Sequence, residues 1–254
     1  MTTPYASQTQ YGKTEAFDLQ VSRGQVQGHT AINVFGYNPD VDTSEESVWP
    51  DGSTVPHPTV ASALTIVSTS TDDDSAGTGA RTVYIEGLNG DYNVISETII
   101  MDGTTPVVTT GTYLYVNQFY VATVGTGGAN AGEITAKVST TLYDIIAVGY
   151  NNRTTGHYCV PAGYTGYMTA GVITTGQATG STSVIAFLKQ HGPDGIVRVG
   201  AVSTLNNGSV QYDFSPPYMI PEKNCVGASV IGSAANNSAS SFFNIILIKN
   251  STGY

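Results

Sequence analysis

The stretch YIEGLNGDYNVISETIIMDGTTPV, residues 84–107, contains two strand patterns with a turn signal after each. Tyr84 and Glu86 alternate with apolar neighbours, and polar and apolar residues alternate again after the turn. Alternation with a period of two points one row of side chains into a core and the other row to water. The stretch therefore predicts an antiparallel hairpin with its turn at Asn89 and Gly90.

The acids of this hairpin suggest a chemical alternative. Glycoside hydrolysis needs two carboxyl groups that face each other across a cleft, and Glu86 and Glu97 could lie on paired strands. Their spacing does not show whether they share a face. We expect acids at the edges of a scaffold, no catalytic residues and no enzymatic activity, with hydrolysis as the alternative.

The rest of the chain repeats this pattern of short strands and tight turns. Turn signals such as GTGG, HGPDG and LNNGS separate runs such as ALTIVS, GIVRVGAV and SFFNIILIK. Only 11% of residues are charged, while 29 are Gly and 16 are Tyr, which suits pleated surfaces joined by turns. No long segment shows the apolar spacing of a helix. We expect an all-β protein of two antiparallel β-sandwich domains, jelly-roll or immunoglobulin-like, with negligible helix.

The polar sequence STTL at residues 139–142 divides the strand patterns into two sets of similar size. We predict an N-terminal sandwich domain over residues 17–140 and a C-terminal sandwich domain over residues 141–254. Residues 1–16 are polar and lack a strand pattern, so we expect a flexible N-terminal arm. An arm that becomes ordered against a neighbouring subunit is the alternative.

The charge of the chain argues against two classes of partner. Nine Lys and Arg residues against 19 Asp and Glu residues give a formal net charge of −10. Phosphate backbones and anionic membrane surfaces repel such a chain, so we expect neither nucleic acid nor membrane as a partner. The apolar runs are far shorter than the roughly 20 residues that span a bilayer, and the N-terminus has no signal-peptide pattern.

Two acidic segments are the candidate metal sites. NPDVDTSEES supplies Asp40 and Asp42, and TDDDS supplies Asp72, Asp73 and Asp74. Closely spaced carboxylates are the oxygen ligands that calcium requires. Neither segment matches an EF-hand loop, and adjacent like charges are also typical of solvated loops. Calcium is one interpretation of these aspartates and a solvated loop is the other; no cofactor is expected.

The two cysteines, Cys159 and Cys225, are far apart in sequence and form no C-x-x-C motif. We predict two buried free thiols, because free cysteine behaves as a small hydrophobe, with a disulfide as the alternative. His157 shares a strand face with Cys159, but no third group orients a Cys–His nucleophile. The four histidines show no metal-ligand spacing and are interpreted as turn and strand-edge residues: His29, His57, His157 and His191.

Aromatic residues offer a different kind of contact. Trp49 and the tyrosines could stack on sugar rings, or they could pack at subunit interfaces with their hydroxyl groups in water. In YLYVNQFYV, residues 113–121, both strand faces are apolar. Such a strand is buried on both faces, which favours a core strand or an intersubunit contact.

Three stretches of this chain resemble a known family: residues 21–52, beginning VSRGQVQGHTAINVFG, residues 75–107, beginning SAGTGARTVYIEGLNG, and HYCVPAGYTGYMT at residues 157–169. They resemble the virion structural proteins of tailed bacteriophages, especially those that infect marine cyanobacteria. The shared motifs, A-G-T-G-A-R-T, I-x-G-L, S-E-T-[IV] and V-P-A-G-x-T-G-Y, are strand and turn patterns. They bring no active-site residues with them.

The resemblance implies a non-enzymatic component of the mature particle that assembles as a homo-oligomer, with a trimer favoured. Its partners would be other virion proteins of the capsid, neck or tail. A head decoration or head fibre, a neck component and a tail component all remain open. The alternative function is a receptor-binding module of a phage fibre that contacts host surface glycans through its aromatic residues.

Overall fold

The computed structural model of this protein describes residues 9–10, 13–180 and 182–250. With 57% strand and 3% helix, it confirms the prediction of an all-β protein with little helix. Most of the predicted N-terminal arm, residues 1–16, lies outside the described residues. Within the described part of the chain, no helix has the length and apolarity needed to cross a membrane.

The elements follow one another along the chain as strands of 2 to 13 residues and a single described helix, α1 (Phe17–Ser22). The strands of the first half are β1 (Thr9–Gln10), β2 (Lys13–Thr14), β3 (His29–Val41), β4 (Glu46–Ser47), β5 (Ser62–Ser68), β6 (Ala80–Leu88), β7 (Val94–Ile100), β8 (Val107–Tyr113) and β9 (Tyr115–Val124). Those of the second half are β10 (Ile134–Val138), β11 (Thr141–Ile146), β12 (His157–Cys159), β13 (Tyr164–Gly176), β14 (Val184–His191), β15 (Val197–Leu205), β16 (Ser209–Ile220), β17 (Cys225–Gly232) and β18 (Asn237–Lys249).

Strands β6 and β7 form the hairpin that the sequence predicts. They pair antiparallel from Leu88 opposite Val94 outward. The turn is longer than the predicted pair Asn89 and Gly90, because the Asn89 side chain accepts hydrogen bonds from the backbone N–H groups of Asp91 and Asn93, both at 3.0 Å. An Asx turn of this kind replaces a two-residue hairpin turn.

Four larger sheets build the molecule. Their strand orders are β11-β10-β5-β8, β7-β6-β9, β12-β17-β14-β15 with β4 beside β17, and β16-β13-β18-β3. The first two sheets share one apolar cluster around Leu64, Ile85 and Phe119. The last two share another around Met168, Leu188 and Phe243. The four sheets are arranged as a propeller-like ring that does not clearly resolve into two sandwich domains.

Strand pairing crosses the predicted boundary between residues 140 and 141. Strand β3 precedes that boundary but pairs along its length with β18 near the C-terminus. Strand β11 follows the boundary but pairs with β10. The alternating pattern identifies these strands and their buried faces. It does not determine which other strand pairs with each of their edges. The domain limits themselves stay a prediction.

The prediction of two free thiols is wrong. Cys159 on β12 and Cys225 on β17 lie directly opposite each other and form a disulfide. The antiparallel pairing of β12 and β17 creates this proximity between residues that are 66 positions apart in sequence. The disulfide packs with Leu88, Leu114 and Tyr115 from the other sheets, so it lies where the two sheet pairs meet.

Candidate functional site

Among the predicted calcium ligands, Asp73 accepts the most hydrogen bonds. Its side chain is buried, and one carboxylate oxygen accepts hydrogen bonds from Ala80 N at 2.7 Å and Ala131 N at 2.8 Å. The other oxygen accepts from Ser68 Oγ at 2.5 Å and Gly132 N at 2.8 Å. Four donors saturate this carboxylate, so Asp73 anchors three chain segments to one another.

The other aspartates of the calcium interpretation are less buried than Asp73. Asp40 and Asp42 are exposed, and Asp74 closes a turn by accepting the backbone N–H of Ala76 at 2.9 Å. Among the described residues, the one group of at least three potential ligand side chains contains none of the predicted aspartates. Calcium binding by these residues stays a prediction that the structure does not test.

Replacing Asp73 by asparagine is expected to lower the free energy of unfolding by about 2 kcal/mol. The amide keeps the shape of the carboxylate, but its NH₂ group faces backbone donors that then lack an acceptor. Urea denaturation of the wild type and the variant measures the difference. An Asp72→Asn variant at the exposed neighbouring position is the control, and equal losses for both variants would contradict the anchoring role.

Glu86 and Glu97 lie on opposite faces of their sheet. Glu97 is directly opposite Ile85 on the neighbouring strand, so it shares the face of Ile85 and not that of Glu86. Its carboxylate accepts hydrogen bonds from Gly111 N at 3.0 Å and from the Tyr113 hydroxyl at 3.0 Å. This arrangement provides no cleft between the two acids of the glycosidase alternative. Burial and the Glu97 carboxylate raise the pKa of Tyr113.

The interpretation in which Trp49 stacks on sugar rings is wrong, because the Trp49 side chain is fully buried. Its Nε1–H donates to the backbone carbonyl of Ser53 at 2.7 Å, and the ring packs with Val55 and Ile145. An indole enclosed in this way offers no face to a ligand.

An amide-lined cleft of about 520 Å³ lies between β3, β9 and the segment around residues 151–155. Two partly exposed rings, Phe35 and Tyr120, border it. The exposed amide side chains of Asn33, Gln118 and Asn152 also line it. We call this the amide cleft. It combines aromatic faces with neutral hydrogen-bonding groups. No sequence pattern predicts it, because β3 and β9 are far apart along the chain.

Three histidines that the sequence places far apart meet in a second pocket. The rings of His57 and His191 stack with centroids 3.7 Å apart and planes within 8°, and the ring of His157 lies 5.5 Å from that of His57. The pocket holds about 260 Å³ and also includes Lys189 and Cys225. We call it the histidine pocket. As predicted, His157 and His191 lie at strand ends and His57 lies in a loop, but the sequence does not show that the three rings meet.

The sheet containing β12, β17 and β14 positions this pocket. His157 and His191 belong to β12 and β14, on either side of β17, and His57 reaches them from the segment between β4 and β5. A Cβ atom at Gly227 of β17 would lie 3.2 Å from Cδ2 of His157. The glycine therefore leaves space for the imidazole ring. No sequence pattern signals this arrangement, because each histidine comes from a different element.

The surroundings of all three imidazoles favour their neutral form. Burial and, to a smaller extent, His191 lower the pKa of His57 to about 4. Burial lowers the pKa of His157 well below its usual value. Burial also lowers the pKa of His191, although Asp194 acts in the opposite direction. Neutral imidazoles keep a nitrogen lone pair available to a ligand.

Comparisons with known proteins place this chain in no family. No family model matches it, and no curated protein sequence matches it significantly. Among solved structures, the infectious bursal disease virus Gx strain is 11% identical, over 89% of this chain and 73% of that chain, with a TM-score of 0.23. The VP2 subviral particle of infectious bursal disease virus has the same identity, coverage and TM-score. Scores this low support no argument about fold or function.

Proposed function

We propose that this chain is a non-enzymatic structural subunit of a virion that assembles as a homo-oligomer. The observation that supports assembly is an apolar flank at the outer edges of two sheets. Within the described part of the chain, β15 is the last strand of its sheet and pairs with β14 alone, and β16 is the last strand of the facing sheet and pairs with β13 alone. We call β15 and β16 together the outer flank.

The outer flank exposes large apolar side chains. Val197, Val199 and Val202 on β15 are 50–55% exposed, and Met219 on β16 is 55% exposed. Proteins that remain monomeric protect such edges with charges, prolines or a covering element. In β15 the one charged residue is Arg198, and that residue pairs with Asp194 in the preceding turn. This edge therefore lacks the usual protection.

A second copy of the chain fits the outer flank. Edge strands present unpaired backbone donors and acceptors, which another edge strand satisfies by extending the sheet. The paired charges of Arg198 and Asp194 leave β15 locally neutral, so a different part of the neighbouring copy's outer flank can meet this strand, as a closed trimer requires, without the repulsion that a net charge of −10 produces elsewhere. Burial of the exposed valines would add the apolar contact that stable homo-oligomers use.

The assignment of this subunit to the particle of a tailed phage rests on the resemblance of three sequence stretches to tailed-phage virion proteins. We place the chain on the particle as an external head protein, such as a decoration or fibre, or as a neck or tail component. The two apolar clusters would correspond to two sandwich units. Other virion proteins would be its docking partners, and residues 1–16 are the proposed docking arm.

Self-association through the outer flank is tested by Val199→Lys. The substitution places a charge on the exposed face of the β15 edge, and we expect the dissociation constant of the oligomer to rise at least about tenfold. Val60→Lys is the matched control, because Val60 is 71% exposed and lies outside the flank. Analytical ultracentrifugation measures both variants. Equal association of the two variants would contradict the proposed interface.

Location on the particle is tested by immunogold labelling of intact virions with antibodies to this chain. We expect labels on the outside of the head, or at the neck or tail. Purified particles without label, together with a negative immunoblot of dissociated particles, would contradict the virion role.

Glycan binding is the second candidate function, and the amide cleft is the observation that favours it. Sugars are recognised by stacking on aromatic faces and by neutral hydrogen bonds, and the cleft offers both. We expect a Tyr120→Ala variant to lose binding on a glycan array, while Tyr150→Ala, at a 51% exposed position outside the cleft lining, keeps it. No binding by the wild type, or equal loss in both variants, would contradict this function.

A further inference from the structure

His57 and His157 are arranged as two ligands of one metal ion would be. Their ring centroids are 5.5 Å apart and their planes differ by 59°. Two imidazoles bound to a tetrahedral zinc ion through bonds of about 2.0–2.1 Å have their centroids roughly 5 Å apart. The observed separation is close to this value before any ion is added.

The two sulfur atoms of the disulfide lie beside these imidazoles. One ligand atom each from His57, His157 and Cys225 lie within 4.8 Å of one another. The Sγ atom of Cys159 lies 3.9 Å from Nε2 of His157. In the disulfide neither sulfur is a thiolate, which is the form that binds metals. The oxidised site therefore offers two ligands, and the reduced site offers four.

The hydrogen bonding of His157 points to a missing partner. This imidazole is buried, and its ring contacts the sulfur of Cys159 at 3.9–4.0 Å. Within the described part of the chain, this sulfur is the one hydrogen-bond partner of the ring, and sulfur is a weak acceptor. A metal ion bound at one ring nitrogen would replace this weak contact.

We infer that the disulfide and a zinc-class divalent ion are alternative states of this one site, with Cys159, Cys225, His57 and His157 as the metal ligands. Exchange with two equivalents of an external monothiol breaks the S–S bond, forms two cysteine thiols and oxidises the reagent to its own disulfide. Binding of the ion then releases two thiol protons. The two thiolates balance the charge of the divalent ion, and the two imidazoles stay neutral.

The donor set selects the class of ion. Two thiolates and two imidazoles in tetrahedral geometry form the usual structural zinc site. His191 is a positioning residue, because its ring is parallel to that of His57 at 3.7 Å. The lone pairs of two parallel stacked rings cannot converge on one ion, so His191 orients His57 without binding the metal. The inference concerns this site alone and is independent of the proposed assembly role.

Titration of the full chain with Co²⁺ tests this inference, with the disulfide intact and after anaerobic reduction by a phosphine. We expect one Co²⁺ per reduced chain, with a thiolate-to-cobalt charge-transfer band that Zn²⁺ abolishes, and no such band in the disulfide form. His57→Ala should weaken binding by about 100-fold or more, and Cys225→Ser should diminish the band. His29→Ala is the control, because His29 lies on β3 outside the pocket.

Each outcome decides the inference. A reduced chain that binds no Co²⁺, or a disulfide form that binds it as tightly, would overturn it, as would equal loss in His29→Ala. If reduction unfolds the chain, circular dichroism measures whether Zn²⁺ restores the fold. Recovery of the folded spectrum on addition of Zn²⁺ would then support the inference, and a reduced chain that stays unfolded at every Zn²⁺ concentration would overturn it.

Discussion

Replacing Arg153 by alanine is expected to lower the free energy of unfolding by about 3–5 kcal/mol, the usual cost of removing one partner from a buried ion pair. Arg153 Nε lies 2.5 Å from Asp144 Oδ2, and the two side chains are only 9% and 0% exposed. Without the guanidinium, the Asp144 carboxylate would remain buried with an uncompensated charge. Chemical denaturation measures the loss.

The partners of this pair explain why its loss should be global. Asp144 also accepts hydrogen bonds from Thr155 Oγ1 at 2.7 Å and from its neighbour Ile145 N at 2.8 Å. Arg153 donates to the backbone carbonyl of Asn117 on β9. The pair therefore joins β11, β9 and the segment that leads into the histidine pocket.

An exposed ion pair provides the control for Arg153→Ala. Arg198 and Asp194 are about half exposed and lie four residues apart, and pairs of this kind contribute little to stability. At chain concentrations low enough to keep the protein monomeric, we expect Arg198→Ala to leave the denaturation midpoint nearly unchanged. A second variant, Arg153→Met combined with Asp144→Asn, should be less destabilised than Arg153→Ala, because it removes both charges. Equal effects of Arg153→Ala and Arg198→Ala would contradict the buried pair.

Reduction of the disulfide in metal-free, chelator-treated solution is expected to lower the free energy of unfolding by about 4 kcal/mol. Cys159 and Cys225 are separated by 66 residues, and a crosslink that closes a long loop removes much of the entropy of the unfolded chain. Urea denaturation with and without reductant measures this difference.

The double variant Cys159→Ser with Cys225→Ser distinguishes the effect of losing the crosslink from other effects of the reductant. Its stability should match that of the reduced wild type and should not respond to reductant. A loss below about 1 kcal/mol on reduction, well under the usual contribution of a disulfide, would contradict a crosslink that links β12 to β17.

Local features of the fold could be predicted from the sequence. The hairpin at residues 84–107 was recognisable because alternation and turn chemistry act between near neighbours. The buried faces of Val83 and Ile85 follow from the same alternation. Its turn includes Asn89 and Gly90 but is longer than predicted, since side-chain hydrogen bonds of Asn89 set the turn length.

Features that depend on strand partners could not be predicted. His57, His157 and His191 meet only because β12 and β14 lie on either side of β17, and the same pairing creates the disulfide. Asp73 is likewise indistinguishable in sequence from its exposed neighbour Asp72. Burial separates these two carboxylates, and burial depends on which segments surround them.

The most direct test of the central claim is the native mass of the purified full chain, measured by sedimentation equilibrium over a range of concentrations. The subunit mass is 26.5 kDa. An assembly subunit that pairs through the outer flank should give a whole-number multiple of this mass, with a trimer favoured, and Val199→Lys should shift it toward the monomer. A wild-type chain that stays a 26.5 kDa monomer at every concentration would contradict the claim.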